Sequence, residues 1–197
     1  LSSGVMEGIK DSFRLFWLVV RCSAVGVFIG IMPGAGGGVA QWMAYAHAVQ
    51  SAKDAKERDG FGKGDVRGVL GPGAANNSKE GGDLIPTIAF GVPGSGAMAI
   101  LLGAFMIMGL VPGPDMLTKH LAVTYSMVWT LVIANIITVL LSLLVLNHLA
   151  KLTYIRGGYI IPFVLLLVFV GSYTANNQIL DLIVTFGFGL LGYIMVR

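Results

Sequence analysis

Charge is what this chain has least of. Only 13 Lys and Arg and 10 Asp and Glu stand among 197 residues, 12% of the total, where a soluble domain usually carries about a quarter. The shortage is uneven. Residues 22–52, 84–114, 121–150, 157–180 and 182–196 hold no ionisable Asp, Glu, Lys or Arg at all. With 55% hydrophobic residues and a mean hydropathy of +0.80, such runs match the thickness of a bilayer when helical. Cysteine is nearly absent too: Cys22 alone excludes an intrachain disulfide and reads as a small apolar packing residue. A net charge of +3 is too small for a nucleic-acid surface and fits basic cytoplasmic loops. Neither end has the look of a natural terminus. The chain opens "LSSGVMEGIK" without a signal peptide and closes "GLLGYIMVR" at the edge of an apolar run, so a fragment of a longer protein is expected.

Long continuous apolarity, rather than alternation, favours helices over a barrel. The expectation is an all-α, polytopic transmembrane protein, a single membrane-embedded domain over residues 1–197. Residues 1–12 are polar and amphipathic, and spans are expected from Phe13 to Met32, after Pro33 to about Val49, over Leu84–Val111, Leu121–Ala150, Gly157–Tyr173 and Ile179–Val196. A polar loop at about 51–82 carries most of the ionisable residues. Its Lys and Arg place it on the cytoplasmic side, and Lys151 and Arg156 mark a second basic loop.

Glycine is what the chain has in excess, 28 in all. Gly26, Gly30, Gly34 and Gly38 recur every fourth residue. On a helix they would form a small-residue face for close packing, the favoured reading for Gly26 and Gly30. Gly34 and Gly38 lie beside or beyond Pro33, where a regular helix is doubtful. The text Pro-Gly-small-Gly occurs twice, as "PGAG" from Pro33 and "PGSG" from Pro93. Proline removes a donor and glycine lets the backbone turn. Inside a membrane such breaks persist only where protein or a watery cavity satisfies the freed groups. Each would be followed by a helix N-terminus, whose free N–H groups and positive dipole end attract anions. Two ordinary proline kinks would also account for the text. The repeat and the clustered small residues favour two tips, broken or re-entrant, converging on one anionic substrate, as in transporters.

"GPGAANNSKEGGDLIPT" from Gly71 is the second informative stretch. The amides of Asn76 and Asn77 can donate to a carboxylate or offer oxygen to a hard cation; turn or capping roles are the alternative. "TANNQILDLI" from Thr174 echoes it loosely. Arg21 reads as an interfacial residue, or else an anion partner. His47 and His148 read as interfacial, and Asp181 as a helix-end residue or a cation ligand. "GSGAMA" from Gly94 fits the loose form of a dinucleotide fingerprint, but without a soluble strand-to-helix unit. No Walker loop, zinc ligand set or Ser-His-Asp set can be picked out, so an enzyme is not expected.

"GIMPGAG", "FGKGDVRGVLGPGAANN", "GGDLIPTIAFGVPGS" and "GLVPGPDM" stand in this order, and the tail "GSYTANNQILDLIVTFGFGLLGYIM" follows. Together they resemble the large permease subunit of tripartite tricarboxylate transporters, the TctA family. The resemblance covers nearly the whole chain. It implies a bacterial inner-membrane secondary transporter for carboxylates such as citrate, driven by Na⁺ or H⁺, with a small membrane subunit and a periplasmic solute-binding protein as partners. Substrate binding then falls, by match of motif, to Pro33, Gly34 and Gly36, to Asn76 and Asn77, and to Pro93, Gly94 and Ser95, with Asn76 and Asn77 as candidate cation contacts. The family commonly has an acid where this chain has Gly73, and small residues where it has Lys79 and Glu80. A channel-like or non-transporting assembly subunit is the alternative. The chain offers few buried cationic side chains to balance a polyanion, so co-bound cations are expected to supply the missing charge.

Overall fold

The computed structural model describes residues 2–152 and 157–196. The side chains of His148, Lys151 and Asn176 and the whole of Arg156 lie outside the described residues. The described chain is helical, with no strand among them. It forms two compact units, residues 1–138 and 139–197.

The first unit begins with α1, Ser2–Arg14, the amphipathic segment expected at the start. It meets α2, Phe16–Ile31, at a 75° bend. A short break leads to α3, Gly36–Gln50. After the one-turn α4, Ala55–Arg58, comes α5, Arg67–Phe90. A second break precedes α6, Gly96–Ile107, and a 3₁₀ turn at Pro114–Leu117 leads to α7, Leu121–Leu152, which runs on into the second unit. There α8, Gly157–Asn176, packs on α9, Ile179–Val196, and the Ser172 hydroxyl lies 2.6 Å from that of Thr185. Among the described residues one helical stretch, Leu121–Leu146, is by itself long and apolar enough to cross a membrane; α1 and α2 together would make a broken one.

Small residues decide how the first unit packs. Cys22, Gly26, Ile29 and Gly30 form the buried face of α2, and Gly71, Ala75, Lys79 and Gly82 that of α5. A Cβ on Gly26 would land on the Ala75 carbonyl and the Ser78 hydroxyl; one on Gly30 would come within 2.5 Å of the Lys79 carbonyl. Glycine at these positions lets two backbones touch, as the four-residue spacing predicted. Helix α3 closes the layer with Ala40, Ala44 and Ala48 buried. Leu18, Cys22, Ala44, Ala48 and Ala75 make one apolar cluster. Leu84, Ile88, Met98, Phe105 and Met116 make another, under the "PGPD" strap, where the Gly113 N–H bonds the Ile88 carbonyl at 2.8 Å.

One expectation is corrected. The polar segment does not stay a loop to residue 82, because α5 starts at Arg67 and takes in both Asn76 and Asn77. It also runs through Pro72 and Pro86. The buried Lys79 and Asp83 are tolerated there because they pair at 3.1 Å, and Lys79 also meets the half-exposed Glu80 at 2.8 Å.

The loop proper, 51–66, is closed by Arg67. Its guanidinium meets Asp65 at 2.7 Å and Glu57 at 2.9 Å and lies 5.3 Å from the centre of the Phe61 ring. These bonds hold the Asp65 and Glu57 carboxyls below their ordinary range and push Arg67 up. A carboxyl depressed on folding stabilises above its unfolded pKa, and that contribution is lost as pH falls through the folded value. Hydrogen exchange of the 57–67 amides should therefore quicken as pH drops below roughly 4, after correction for intrinsic rates. In Arg67→Ala exchange should be fast throughout and lose this dependence. An unchanged wild-type profile would show that Arg67 does not close the loop.

Candidate functional site

Both Pro-Gly breaks end against the middle of α5. At the first, the chain leaves α2 through Met32 and Pro33 and turns with Gly34 and Gly36 at φ of 77° and 70°, a region that side chains with a Cβ rarely adopt. At the second, Gly91 closes α5 at φ 67°, and its N–H and that of Val92 turn back to the Pro86 and Thr87 carbonyls. Ser95, extended at φ −149°, then opens α6. Both breaks lead into a helix N-terminus, but the first turns on left-handed glycines and the second on a left-handed helix end followed by extended chain.

Contact with α5 defines the site. Beside the first tip, a Cβ on Gly37 would reach 2.9 Å from Lys79 Cε and 3.5 Å from Asn76 Oδ1. One turn into α3, the Gln41 side-chain amide donates to Asn76 Oδ1 at 2.7 Å. At the second tip, a Cβ on Gly94 would reach 2.9 Å from Asp83 Cα and 3.1 Å from its carboxyl carbon. Lys79 and Asp83 are four residues apart on one helix, about 6 Å along its axis. One tip therefore rests at Lys79 and the other at Asp83, about a helical turn from each other. Lys79 (7% exposed), Asp83 (1%) and Thr87 (0%) are the buried polar or charged residues among those described. The Thr87 hydroxyl donates to the Asp83 carbonyl at 2.6 Å.

The residues singled out in the sequence divide accordingly. Gly36, Asn76, Gly94 and Ser95 lie at or next to these contacts. Pro33 and Gly34 are exposed on the outside of the first turn, Pro93 is half-buried in the second, and Asn77 is exposed on α5. With its oxygen taken by Gln41, Asn76 has its NH₂ group to offer, which suits a carboxylate better than a cation. Ser95 Oγ is buried and has no hydrogen-bond partner, although Ser95 stands where a serine ordinarily caps its helix. An unpaired buried hydroxyl at a helix N-terminus can donate to an acceptor oxygen of a ligand or accept from a ligand's donor.

Sequence reading missed Gly37, Gln41, Lys79 and Asp83. The signal was present as an i, i+4 pair of opposite charges, Lys79 and Asp83, in a run with Gly71, Ala75 and Gly82 on the same face. The expectation of few buried cations is sharpened by Lys79, which lies at the meeting point itself. Arg21 is exposed and bonds the Trp17 carbonyl, in keeping with an interfacial place. His47 is half-buried near the end of α3, and Asp181 stands in the first turn of α9.

Comparison with known proteins bears on the same chain. The family model described as Tripartite tricarboxylate transporter TctA family matches residues 2–197. Two proteins of Agrobacterium vitis are similar. The "Uncharacterized 52.8 kDa protein in TAR-I ttuC' 3'region" is 29% identical over 95% of this chain, and this chain spans 37% of its length. The "Uncharacterized protein in TAR-II ttuC' 3'region" is 31% identical over 87% of this chain and 70% of its own. No solved structure matches.

Proposed function

The chain belongs to the tripartite tricarboxylate transporter TctA family, a family of transporter components rather than enzymes, and from that premise we propose that it forms the substrate-handling part of a binding-protein-dependent carboxylate permease in the bacterial inner membrane. The proposed substrates are citrate and related carboxylates. The proposed partners are a small membrane subunit and a periplasmic solute-binding protein, and a Na⁺ or H⁺ gradient drives uptake.

The observation that carries this reading is the meeting of both Pro-Gly tips with the Lys79–Asp83 turn of α5. Each tip ends in a helix N-terminus, worth about 0.3–1 kcal/mol toward an anion when exposed and about 2 when partly buried. Tips alone hold a polyanion weakly. The Asn76 amide, the Ser95 hydroxyl and the Lys79 ammonium add directed donors of the kind carboxylates require. Helix pairs broken at the same level are also what alternating-access transporters use to surround a substrate.

The test is uptake of labelled citrate by the full-length protein with its partner subunits in vesicles, with imposed Na⁺ and H⁺ gradients. Saturable uptake that collapses when one gradient is removed is expected. Flux that follows the citrate gradient without saturation would turn the reading into a channel. No uptake across citrate, tricarballylate and succinate under either gradient would contradict it.

A further inference from the structure

Lys79 has two carboxylate partners, and they are held differently. Asp83 is 3.1 Å away with a side chain 1% exposed, and Gly94 lies against its Cα and carboxyl carbon. Glu80 is 2.8 Å away, but its side chain is 37% exposed. The cluster therefore holds one positive and two negative charges. In this state it repels an anion, although both helix tips beside it attract one. A fixed, buried Asp83 cannot withdraw without moving the second tip. The half-open Glu80 can rotate into solvent, where its charge is hydrated at little cost.

We propose that Lys79 is the anchoring cation for one carboxylate of the substrate, and that Glu80 is an internal stand-in which the substrate carboxylate displaces. The proposal rests on the carboxylate reading above and assigns its electrostatic anchor. Exchange of one carboxylate for another leaves the ammonium paired throughout, so it is never buried alone. It also sets the room: Gly37 has no Cβ, and the Lys79 stem passes through the space a Cβ would need. Among the described residues the ion pairs of Lys79 are with Glu80 and Asp83, so the exchange involves these three.

The experiment measures binding of labelled citrate, tricarballylate and succinate to the full-length protein in nanodiscs. Glu80→Gln removes the competing charge and should tighten binding by roughly fivefold, the scale of a half-exposed ion pair. Lys79→Met with Asp83→Asn removes the buried pair together, so that neither charge is left alone, and should weaken binding on the order of a hundredfold. Thermal unfolding of this double variant, close to wild type, separates lost binding from lost folding. Three results overturn the proposal. Wild-type affinity in the folded double variant would remove Lys79 from the site. Unchanged or weaker binding in Glu80→Gln would remove the exchange. A wild type that binds none of the three compounds would remove the carboxylate reading and this one with it.

Discussion

Replacing Gly82 by valine should cost about 2–3 kcal/mol of stability, while the same change at Gly81 next to it should cost nothing measurable. The contrast follows from position on one helix. A Cβ on Gly82 would strike the Val27 carbonyl and come within 3.1 Å of Gly30 Cα, backbone against backbone, with no flexible side chain to give way. Helices α2 and α5 must then separate along their whole contact, because Gly26 and Gly30 depend on the same close approach. Gly81 is exposed, and a Cβ there meets nothing within 4 Å. Valine is a better helix former than glycine by roughly 0.4 kcal/mol, a gain far too small to offset the clash at Gly82. Thermal unfolding of the two variants of the full-length protein decides the matter. Equal stability would mean that α2 and α5 do not pack through glycine.

Asp83→Ala should be the most damaging single change of a side chain, at about 3–5 kcal/mol, the cost of leaving a buried charge without its partner. The Lys79 ammonium would keep Glu80, but Glu80 is the half-exposed and less constrained of the two. The double change Lys79→Met, Asp83→Leu should recover most of that loss, since an apolar pair of similar volume commonly replaces a buried ion pair without penalty. Transport should not recover with it. Stability measured by unfolding and function measured by uptake are expected to part company in this double variant. Recovery of both would make the pair a packing device alone. Recovery of neither would mean that Asp83 acts through its contact with Gly94 rather than through charge.

Much of this was legible in the sequence, and the reason is chemical. The four-residue glycine spacing announced a close helix contact, and Gly26 and Gly30 make it. The proline-glycine text announced two breaks, and both occur where it stands. The start of α5 was not legible. Six ionisable residues from Lys63 to Asp83 would suggest water, unless each partner is seen, and partners are a property of three-dimensional placement. Pro72 and Pro86 stand inside α5, and sequence shows the donor each lacks but not the packing that outweighs it. Lys79 falls inside the segment 51–82 that reads as a loop, and Asp83 lies just beyond it. Their spacing, read together with Gly71, Ala75 and Gly82 on the same face, was the available sign of a buried charged stripe. Asn76 and Gly94 lie against the cluster or its tip contacts, Gly36 and Ser95 are their chain neighbours at the two tips, and no such contact is seen for Pro33, Gly34, Asn77 or Pro93.

One substrate that meets both tips at once would shield both of them. Cysteines at Ala35 and at Gly96, placed singly in the full-length protein after Cys22→Ala, would be labelled with a hydrophilic maleimide with and without citrate. Citrate should slow labelling at both positions and leave a cysteine at Lys63, in the polar loop, unaffected. Protection at only one tip, or equal protection at Lys63, would contradict it.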